Sequence, residues 1–129
     1  MADPSNVQLL TNAVQRYFDL CYDSALSHFD RVLYPTAQLH GLVAGKMVMV
    51  SAQAFKDATT SLKERGVPRQ EQILLMDFAS PTQAFVKVRV RWHKSVYIDY
   101  LTYHFIDGDW LITSKGFHIE STEPSSESP

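Results

Sequence analysis

The sequence predicts an α+β fold, because helical patterns fill its first half and long strand patterns fill its second half. Apolar residues recur every three or four positions between Val7 and Cys21, which is the spacing of one face of a helix. From Gln70 onward, apolar and polar residues alternate over long segments, as they do in strands with one buried face. Helices that precede the strands, rather than alternating with them, favour α+β architecture.

Three helices are expected in the N-terminal half of the chain. The first covers about 7–22, and the second is a shorter helix over about 24–34 that ends before Pro35. Ser51 can cap a third helix, because its hydroxyl can accept an amide proton that the first turn leaves unpaired, and this helix is expected to end near Arg65-Gly66-Val67-Pro68.

Strands and turns account for most of the remaining sequence. The expected strands are Ala37–Leu42, Lys46–Met49, Gln70–Ala79, Thr82–His93, Val96–Ile106 and Asp109–Glu120. We expect residues 1–120 to form a single domain. Residues 121–129 are rich in serine, proline and glutamate and cannot bury apolar area, so we expect a flexible tail there.

The composition excludes several functional classes. Twelve basic and fourteen acidic residues give a net charge of −2, which does not favour nucleic acid or anionic membranes as partners. No apolar run is long enough to span a bilayer. Cys21 is the only cysteine, which favours a reducing, cytoplasmic location, and it lies on the apolar face of the first helix, where we expect a buried and inert thiol.

The dipeptide Asp107-Gly108 predicts a two-residue hairpin turn, because both residues tolerate the positive φ angles that such turns require. Counting outward from this turn places five pairs on the face that packs against the helices: Phe105 with Trp110, Tyr103 with Ile112, Leu101 with Ser114, Asp99 with Gly116, and Tyr97 with His118. The same count places Lys115 on the opposite face.

A second two-residue turn is predicted at Lys94-Ser95. It would pair Trp92 with Tyr97 and Val90 with Asp99. The strand before this turn would then direct its apolar residues toward the helices and its basic residues, Lys87, Arg89 and Arg91, toward solvent or another subunit.

Asp99 is the first candidate catalytic residue, because a carboxylate on an otherwise apolar face is costly unless it has a function or a partner. As a general base it would serve an isomerase or a cyclase. The alternative is a structural carboxylate that accepts hydrogen bonds from Tyr17, His118 or a backbone amide. His118 is the second candidate, either orienting a substrate beside Asp99 or serving as a structural histidine.

Five aromatic residues are candidates for lining a pocket. The hydroxyl groups of Tyr17, Tyr97 and Tyr103 could donate hydrogen bonds to a ligand, and Trp92 and Trp110 could stack on a planar one. Each could instead be a core residue. No metal site is expected, because the five histidines show no ligand spacing. No cofactor motif occurs either.

Several short segments together resemble a known superfamily. They are Tyr17-Phe18-Asp19, Leu33-Tyr34-Pro35-Thr36-Ala37, Asp99-Tyr100-Leu101-Thr102, Asp107-Gly108-Asp109-Trp110-Leu111-Ile112 and Lys115-Gly116-Phe117-His118. The chain resembles the nuclear transport factor two-like (NTF2-like) superfamily, which has a cystatin-like fold. Within it, the chain resembles the small bacterial proteins described as putative lumazine-binding or polyketide-cyclase-like.

The resemblance implies a cone-shaped fold, in which three helices pack in the concave face of a strongly curved, mainly antiparallel sheet. It also implies a cavity between sheet and helices and a homodimer through the outer sheet face. For that face we expect Tyr100, Thr102, His104, Lys115 and Phe117. Relatives of this fold include isomerases, cyclases and dehydratases, in which a sheet aspartate is often the base, and also proteins without catalysis.

Three functions remain open at this point. The first is binding of a small molecule in an apolar, aromatic-lined pocket. The second is an isomerase, cyclase or dehydratase that needs no cofactor and uses Asp99 as its general base. The third is a non-catalytic module that acts as a dimer. An open pocket at Asp99 favours the first two functions, and a carboxylate without a pairing cation favours catalysis over binding.

Overall fold

The computed structural model describes residues 4–23, 26–60 and 68–122. Within these ranges the chain forms two α-helices, one 3-10 helix and a six-stranded sheet. In chain order the elements are α1 (Pro4–Asp23), the 3-10 helix (Leu26–Arg31), β1 (Leu33–Val43), β2 (Lys46–Ser51), α2 (Ala52–Thr60), β3 (Glu71–Ser80), β4 (Gln83–Trp92), β5 (Ser95–Ile106) and β6 (Asp109–Thr122).

The helices follow the apolar patterns that predict them. Helix α1 buries Leu10, Val14 and Tyr17, which share one face at helical spacing. The Ser51 hydroxyl accepts a hydrogen bond from the amide of Ala54 at 3.0 Å and caps α2 as expected. The predicted end of the third helix, near residue 65, lies outside the described residues.

The second predicted helix is a 3-10 helix of six residues, so the described chain has two α-helices and not three. The amide of Val32 donates to the carbonyl oxygen of Phe29 at 3.0 Å, which is the tighter three-residue step of that helix type. Strand β1 already begins at Leu33, four residues before the predicted strand, and this early start leaves little room for an α-helix.

The sheet curls around the helices into the expected cone. Its strand order is β2-β1-β6-β5-β4-β3, and every neighbouring pair is antiparallel except β1 and β6. Helix α1 contacts β4 and β6, and α2 contacts β1. The core therefore lies between the inner sheet face and the helices, and its most deeply buried strand residues include Val86, Val88, Leu101 and Ile112.

The turn at Asp107-Gly108 forms as predicted. Both residues have positive φ angles, 50° and 86°, as a two-residue hairpin turn of this kind requires. Phe105 pairs with Trp110, and Tyr103 with Ile112, so this part of the predicted register is confirmed.

Beyond Tyr103 the predicted register of this hairpin is wrong, because β6 contains a bulge at Thr113. Thr102 pairs with Ser114, which leaves Thr113 as one extra residue without a partner on β5. The Thr113 hydroxyl forms a hydrogen bond of 2.6 Å with Nδ1 of His104 and donates to the Thr102 carbonyl oxygen at 3.4 Å. These contacts stabilise the bulge locally.

The bulge reverses the faces of the following residues, because side chains alternate along a strand. The observed pairs are Leu101 with Lys115, Tyr100 with Gly116, Asp99 with Phe117, Ile98 with His118, and Tyr97 with Ile119. The predicted pairs of Leu101 with Ser114, Asp99 with Gly116 and Tyr97 with His118 are therefore wrong. Lys115, expected on the outer face, is buried on the inner one.

The β4–β5 turn lies at His93-Lys94, one residue earlier than predicted. Trp92 pairs with Ser95, Val90 with Tyr97, and Val88 with Asp99, so the predicted pairs of Trp92 with Tyr97 and Val90 with Asp99 are wrong. Each partner moves by two residues, which keeps every side chain on its predicted face. His93 has a φ angle of 58°.

The predicted tail begins inside the last strand. Residues 121 and 122 belong to β6, and the remainder of the predicted tail, residues 123–129, lies outside the described residues. None of the helices in the described ranges is long and apolar enough to cross a membrane.

Gly41 in β1 permits a close approach of β6. A Cβ atom at Gly41 would lie 2.5 Å from a ring carbon of Phe117 and 2.6 Å from its carbonyl oxygen, whereas a Cβ atom at Gly116 would meet only the Cβ of Tyr100, at 3.8 Å. We predict that Gly41→Ala lowers the free energy of unfolding by about 1–3 kcal/mol through overpacking. The control Gly116→Ala should leave it nearly unchanged. Urea titration of both variants checks this, and equal effects would contradict the packing described here.

Candidate ligand cavity and its polar cluster

A cavity of about 290 Å³ lies between the inner sheet face and the helices. Tyr17 reaches it from α1, and Phe55 and Ala58 reach it from α2. The remaining lining residues come from the sheet: Leu39, Val43, Val50, Trp92, Tyr97, Asp99, Lys115, Phe117 and Ile119. The wall is mainly apolar and aromatic, and Asp99 and Lys115 are the charged residues among those described as lining it.

Asp99, Tyr17 and Lys115 form one polar cluster at the wall of this cavity. The Tyr17 hydroxyl donates a hydrogen bond to Oδ2 of Asp99. The Lys115 ammonium lies 3.7 Å from the same oxygen, so this contact is an ion pair longer than a hydrogen bond. The side chains of Asp99 and Lys115 are 1% and 7% exposed. Oδ1 of Asp99 has no hydrogen-bond partner within the described part of the chain.

Aromatic rings surround the Lys115 ammonium. Its nitrogen lies 4.4 Å from the centre of the Phe55 ring and 4.9 Å from the centre of the Tyr17 ring. Both distances permit cation–π attraction. The rings and the Asp99 carboxylate together offset part of the hydration that the buried ammonium loses.

Burial dominates the protonation of the cluster. Loss of hydration raises the pKa of Asp99, although the Lys115 charge and the Tyr17 hydrogen bond act in the opposite direction. Burial and the neighbouring Asp99 charge raise the pKa of Tyr17 well above its ordinary value, so Tyr17 is a neutral donor at pH 7. Burial raises the pKa of the Cys21 thiol to about 12, and this free thiol is buried as expected.

The structure brings four of the sequence-predicted site residues to the cavity and places three elsewhere. Tyr17, Trp92, Tyr97 and Asp99 line it. Tyr103 and Trp110 are buried core residues that do not line it. His118 is exposed and pairs with Ile98, so the expectation that it lies beside Asp99 is wrong.

Lys115 is the charged site residue that the sequence did not predict, and Phe117, also expected on the outer face, lines the cavity as well. Strict alternation from the Asp107-Gly108 turn assigns Lys115 to the outer face, and the bulge at Thr113 moves it inward. The sequence carries a partial signal of this change: the aromatic and isoleucine residues of β6 are Trp110 and Ile112 at even positions, then Phe117 and Ile119 at odd positions, although Leu111 between the first two is also apolar. A change of parity within one strand indicates an inserted residue.

Metal ligands do not cluster in the described ranges. No group of three histidine, cysteine, aspartate or glutamate side chains is close enough there to hold a metal ion. The cluster at the cavity combines a carboxylate, an ammonium and a phenol, which is a set suited to hydrogen bonding and proton transfer.

The sequence profile of one family, described as Putative lumazine-binding, matches residues 5–118. No curated protein matches the chain significantly. Among solved structures, an NTF2-like protein of unknown function from Silicibacter pomeroyi has a TM-score of 0.84 and 21% identity, covering 93% of this chain and 100% of that one.

Two further solved structures give the same result. An NTF2-like protein of unknown function from Shewanella baltica has a TM-score of 0.84 at 13% identity, covering 95% of this chain and 99% of that one. A ketosteroid isomerase-like protein from Erwinia carotovora atroseptica has a TM-score of 0.70 at 12% identity, covering 92% and 99%. At these identities the likeness shows the fold. The profile match over residues 5–118 shows that the chain belongs to the family described as putative lumazine-binding, and its fold is NTF2-like.

Proposed function

We propose that this chain binds a small organic molecule in the cavity described above. The observation that carries the proposal is an apolar, aromatic-lined cavity of about 290 Å³ with one polar cluster in its wall. This combination is the common form of a small-molecule site, in which apolar contacts supply affinity and a few polar groups fix orientation.

The polar cluster suits a neutral ligand that carries a carbonyl group. Asp99 and Lys115 already pair their opposite charges, so a charged ligand would leave one charge unbalanced inside the protein. The Lys115 ammonium has three N–H donors and can give one to a carbonyl oxygen. The volume lies near the lower end of ligand sites, roughly 300–1,000 Å³, so the ligand is small.

The description of the family supports this proposal and supplies a probe. Lumazine is a planar bicyclic compound with two carbonyl oxygens, and these match an aromatic wall with an ammonium donor. Lumazine therefore serves as the test compound.

Binding fits the site better than proton abstraction by Asp99. The isomerase alternative is supported by the raised pKa of Asp99 and by the name of the Erwinia carotovora atroseptica structure. A paired cation opposes it, because Lys115 stabilises the carboxylate as an anion and lowers its strength as a base. The outward position of His118 also removes the second expected proton-transfer group.

We also propose the remaining features that the sequence predicts: a single domain, predicted over residues 1–120 and extended to Thr122 by β6, a cytoplasmic location and a homodimer. The single buried thiol of Cys21 supports a reducing compartment. One row of paired residues on the outer face crosses all six strands and supports the dimer: Met49, His40, Gly116, Tyr100, Lys87 and Leu75. Lys115 and Phe117, expected in that interface, line the cavity instead.

The two tryptophans provide an internal comparison for ligand binding. Trp92 lines the cavity, whereas Trp110 is buried in the core outside it. We predict that lumazine, titrated into the ¹⁵N-labelled protein, shifts the indole N–H resonance of Trp92 in a saturable way and leaves that of Trp110 nearly unchanged. Ala58→Phe, which narrows the exposed side of the cavity, should weaken this response. Ala54→Phe, exposed on the same helix but outside the cavity, should not. The proposed function would be refuted if neither lumazine nor a small neutral carbonyl compound produced a saturable shift of the Trp92 resonance.

The ion pair gives a second prediction. Asp99→Asn leaves the Lys115 ammonium buried without a counter-charge, and we expect it to lower the free energy of unfolding by about 3–5 kcal/mol. Lys115→Met removes that charge. The free energy of unfolding of the double variant should therefore fall by clearly less than the sum of the decreases in the two single variants. Urea unfolding of all four proteins measures this coupling. Strictly additive effects would show that the two side chains do not interact.

The proposed dimer is tested by a matched pair of substitutions. Tyr100 and Leu9 are similarly exposed, at 45% and 46%, but Tyr100 lies in the central row of the outer sheet face and Leu9 lies on α1. We predict that the wild-type protein and Leu9→Glu scatter light with about twice the chain mass at micromolar concentration, and that Tyr100→Glu is monomeric. A monomeric wild-type protein, or a dimer that Tyr100→Glu leaves intact, would contradict the proposed interface.

A further inference from the structure

The Lys115 side chain is a primary amine at the wall of an apolar cavity. An amine can orient a ligand through hydrogen bonds, and it can also react as a nucleophile. We propose that Lys115 forms a covalent imine with a small aldehyde or ketone that enters the cavity. This inference rests on the proposed function, because the carbonyl compound must first bind there. It adds a reaction to that function and a class of substrate, namely carbonyl compounds with an apolar or aromatic body.

The surroundings of Lys115 favour imine formation for two reasons. Water hydrolyses an imine. The residues around the Lys115 nitrogen are mainly apolar, including the rings of Phe55 and Tyr17 at 4.4 and 4.9 Å, and such surroundings limit the access of water. A carbonyl group held in a cavity of about 290 Å³ also meets the amine at a high effective concentration. Buried lysines in apolar pockets are known nucleophiles toward carbonyl carbons.

Asp99 supplies the proton transfers that the reaction needs. Its carboxylate lies 3.7 Å from the Lys115 nitrogen. An ammonium proton is far more acidic than a proton on carbon, so the carboxylate that is a weak base toward a carbon acid can still accept a proton from Lys115 when the two groups close to hydrogen-bonding distance, which frees the nitrogen lone pair. Burial raises the pKa of Asp99, so this carboxylate holds a proton more readily than an exposed one. Tyr17 remains a neutral hydrogen-bond donor to Oδ2 throughout.

The atoms and charges of the step balance without any further reactant. The free amine nitrogen forms a bond to the carbonyl carbon while the carbon–oxygen π bond breaks, which gives a carbinolamine. The remaining carbon–oxygen bond then breaks, the nitrogen lone pair forms the carbon–nitrogen double bond, and the oxygen leaves as water. Both protons of that water come from the original ammonium through Asp99. The product is a protonated imine, so the positive charge beside the Asp99 carboxylate is preserved.

Lys87 provides the control residue. It also lies over an aromatic ring, with its nitrogen 5.4 Å from the centre of the Tyr100 ring, but on the outer face of the sheet. Reactivity that came from a ring contact alone would appear at Lys87 as well as at Lys115. Reactivity that comes from the cavity and Asp99 appears at Lys115.

The test is reductive trapping in the full chain. The folded protein is incubated with benzaldehyde and sodium cyanoborohydride at neutral pH, and peptide mapping by mass spectrometry locates each added benzyl group. We expect saturable labelling of Lys115 at a rate on the order of ten times that of Lys87 or more, because the bound carbonyl is held beside the amine. Lys115→Arg should abolish the fast label, and Lys87→Arg should retain it. Mapping of the wild-type protein is decisive even if Lys115→Arg fails to fold.

The outcomes separate this inference from the proposed function. Labelling of Lys115 no faster than that of Lys87 overturns the imine. If lumazine or a neutral carbonyl compound still shifts the Trp92 resonance in that case, small-molecule binding stands without the covalent step. If nothing shifts Trp92 and Lys115 is not labelled, both proposals fail. Fast labelling of Lys115 that added lumazine slows, by occupying the same cavity, supports both.

Discussion

The one-residue bulge at Thr113 is the constraint on which the cavity depends. Without it, regular alternation would direct Ser114 and Gly116 inward and leave Lys115 on the outer face. With it, Lys115, Phe117 and Ile119 all line the cavity. The bulge also leaves Gly116 opposite Tyr100, at the centre of the outer row of the sheet. A single unpaired residue thus determines both the polar group inside the cone and the residue that lies opposite Tyr100 on its outer face.

The buried ion pair connects the site to the whole fold. Asp99 comes from β5 and Lys115 from β6, while the Tyr17 hydroxyl and the Phe55 ring come from α1 and α2. Two charges inside an apolar wall are stable only when every compensating group is in place. We therefore expect the polar cluster to form only when both helices pack into the sheet. The unpartnered Oδ1 of Asp99 and the N–H groups of Lys115 are the polar capacity that a ligand can use.

The sequence predicts the architecture well and the site only in part. The physical reason is that successive side chains in a strand point to opposite faces, so a shift of two residues preserves the faces and a shift of one residue reverses them. The turn error at His93-Lys94 moves partners by two residues, so Val88 and Val90 stay on the inner face as predicted. The bulge at Thr113 shifts the strand partners by one residue, which places Lys115 on the inner face and Gly116 on the outer face. Local hydrogen bonds of the Thr113 hydroxyl stabilise that bulge. The alternation of apolar and polar residues gives no information about such hydrogen bonds. The step from Trp110 and Ile112 to Phe117 and Ile119 is the pattern that could have indicated the bulge, and the apolar Leu111 obscures that pattern.

Lys115 lies inside the cone, beside Asp99 and against two aromatic rings, and the chemistry of the cavity depends on this position. The most direct measurement is a nuclear Overhauser spectrum of the isotope-labelled protein, read at the ε-methylene protons of Lys115. The structure predicts upfield-shifted signals for these protons and cross-peaks to the rings of Tyr17 and Phe55, together with cross-strand contacts between Leu101 and Lys115. Lys115 signals at solvent-exposed positions, with Leu101 contacting Ser114 instead, would contradict the bulge and the cavity chemistry built on it.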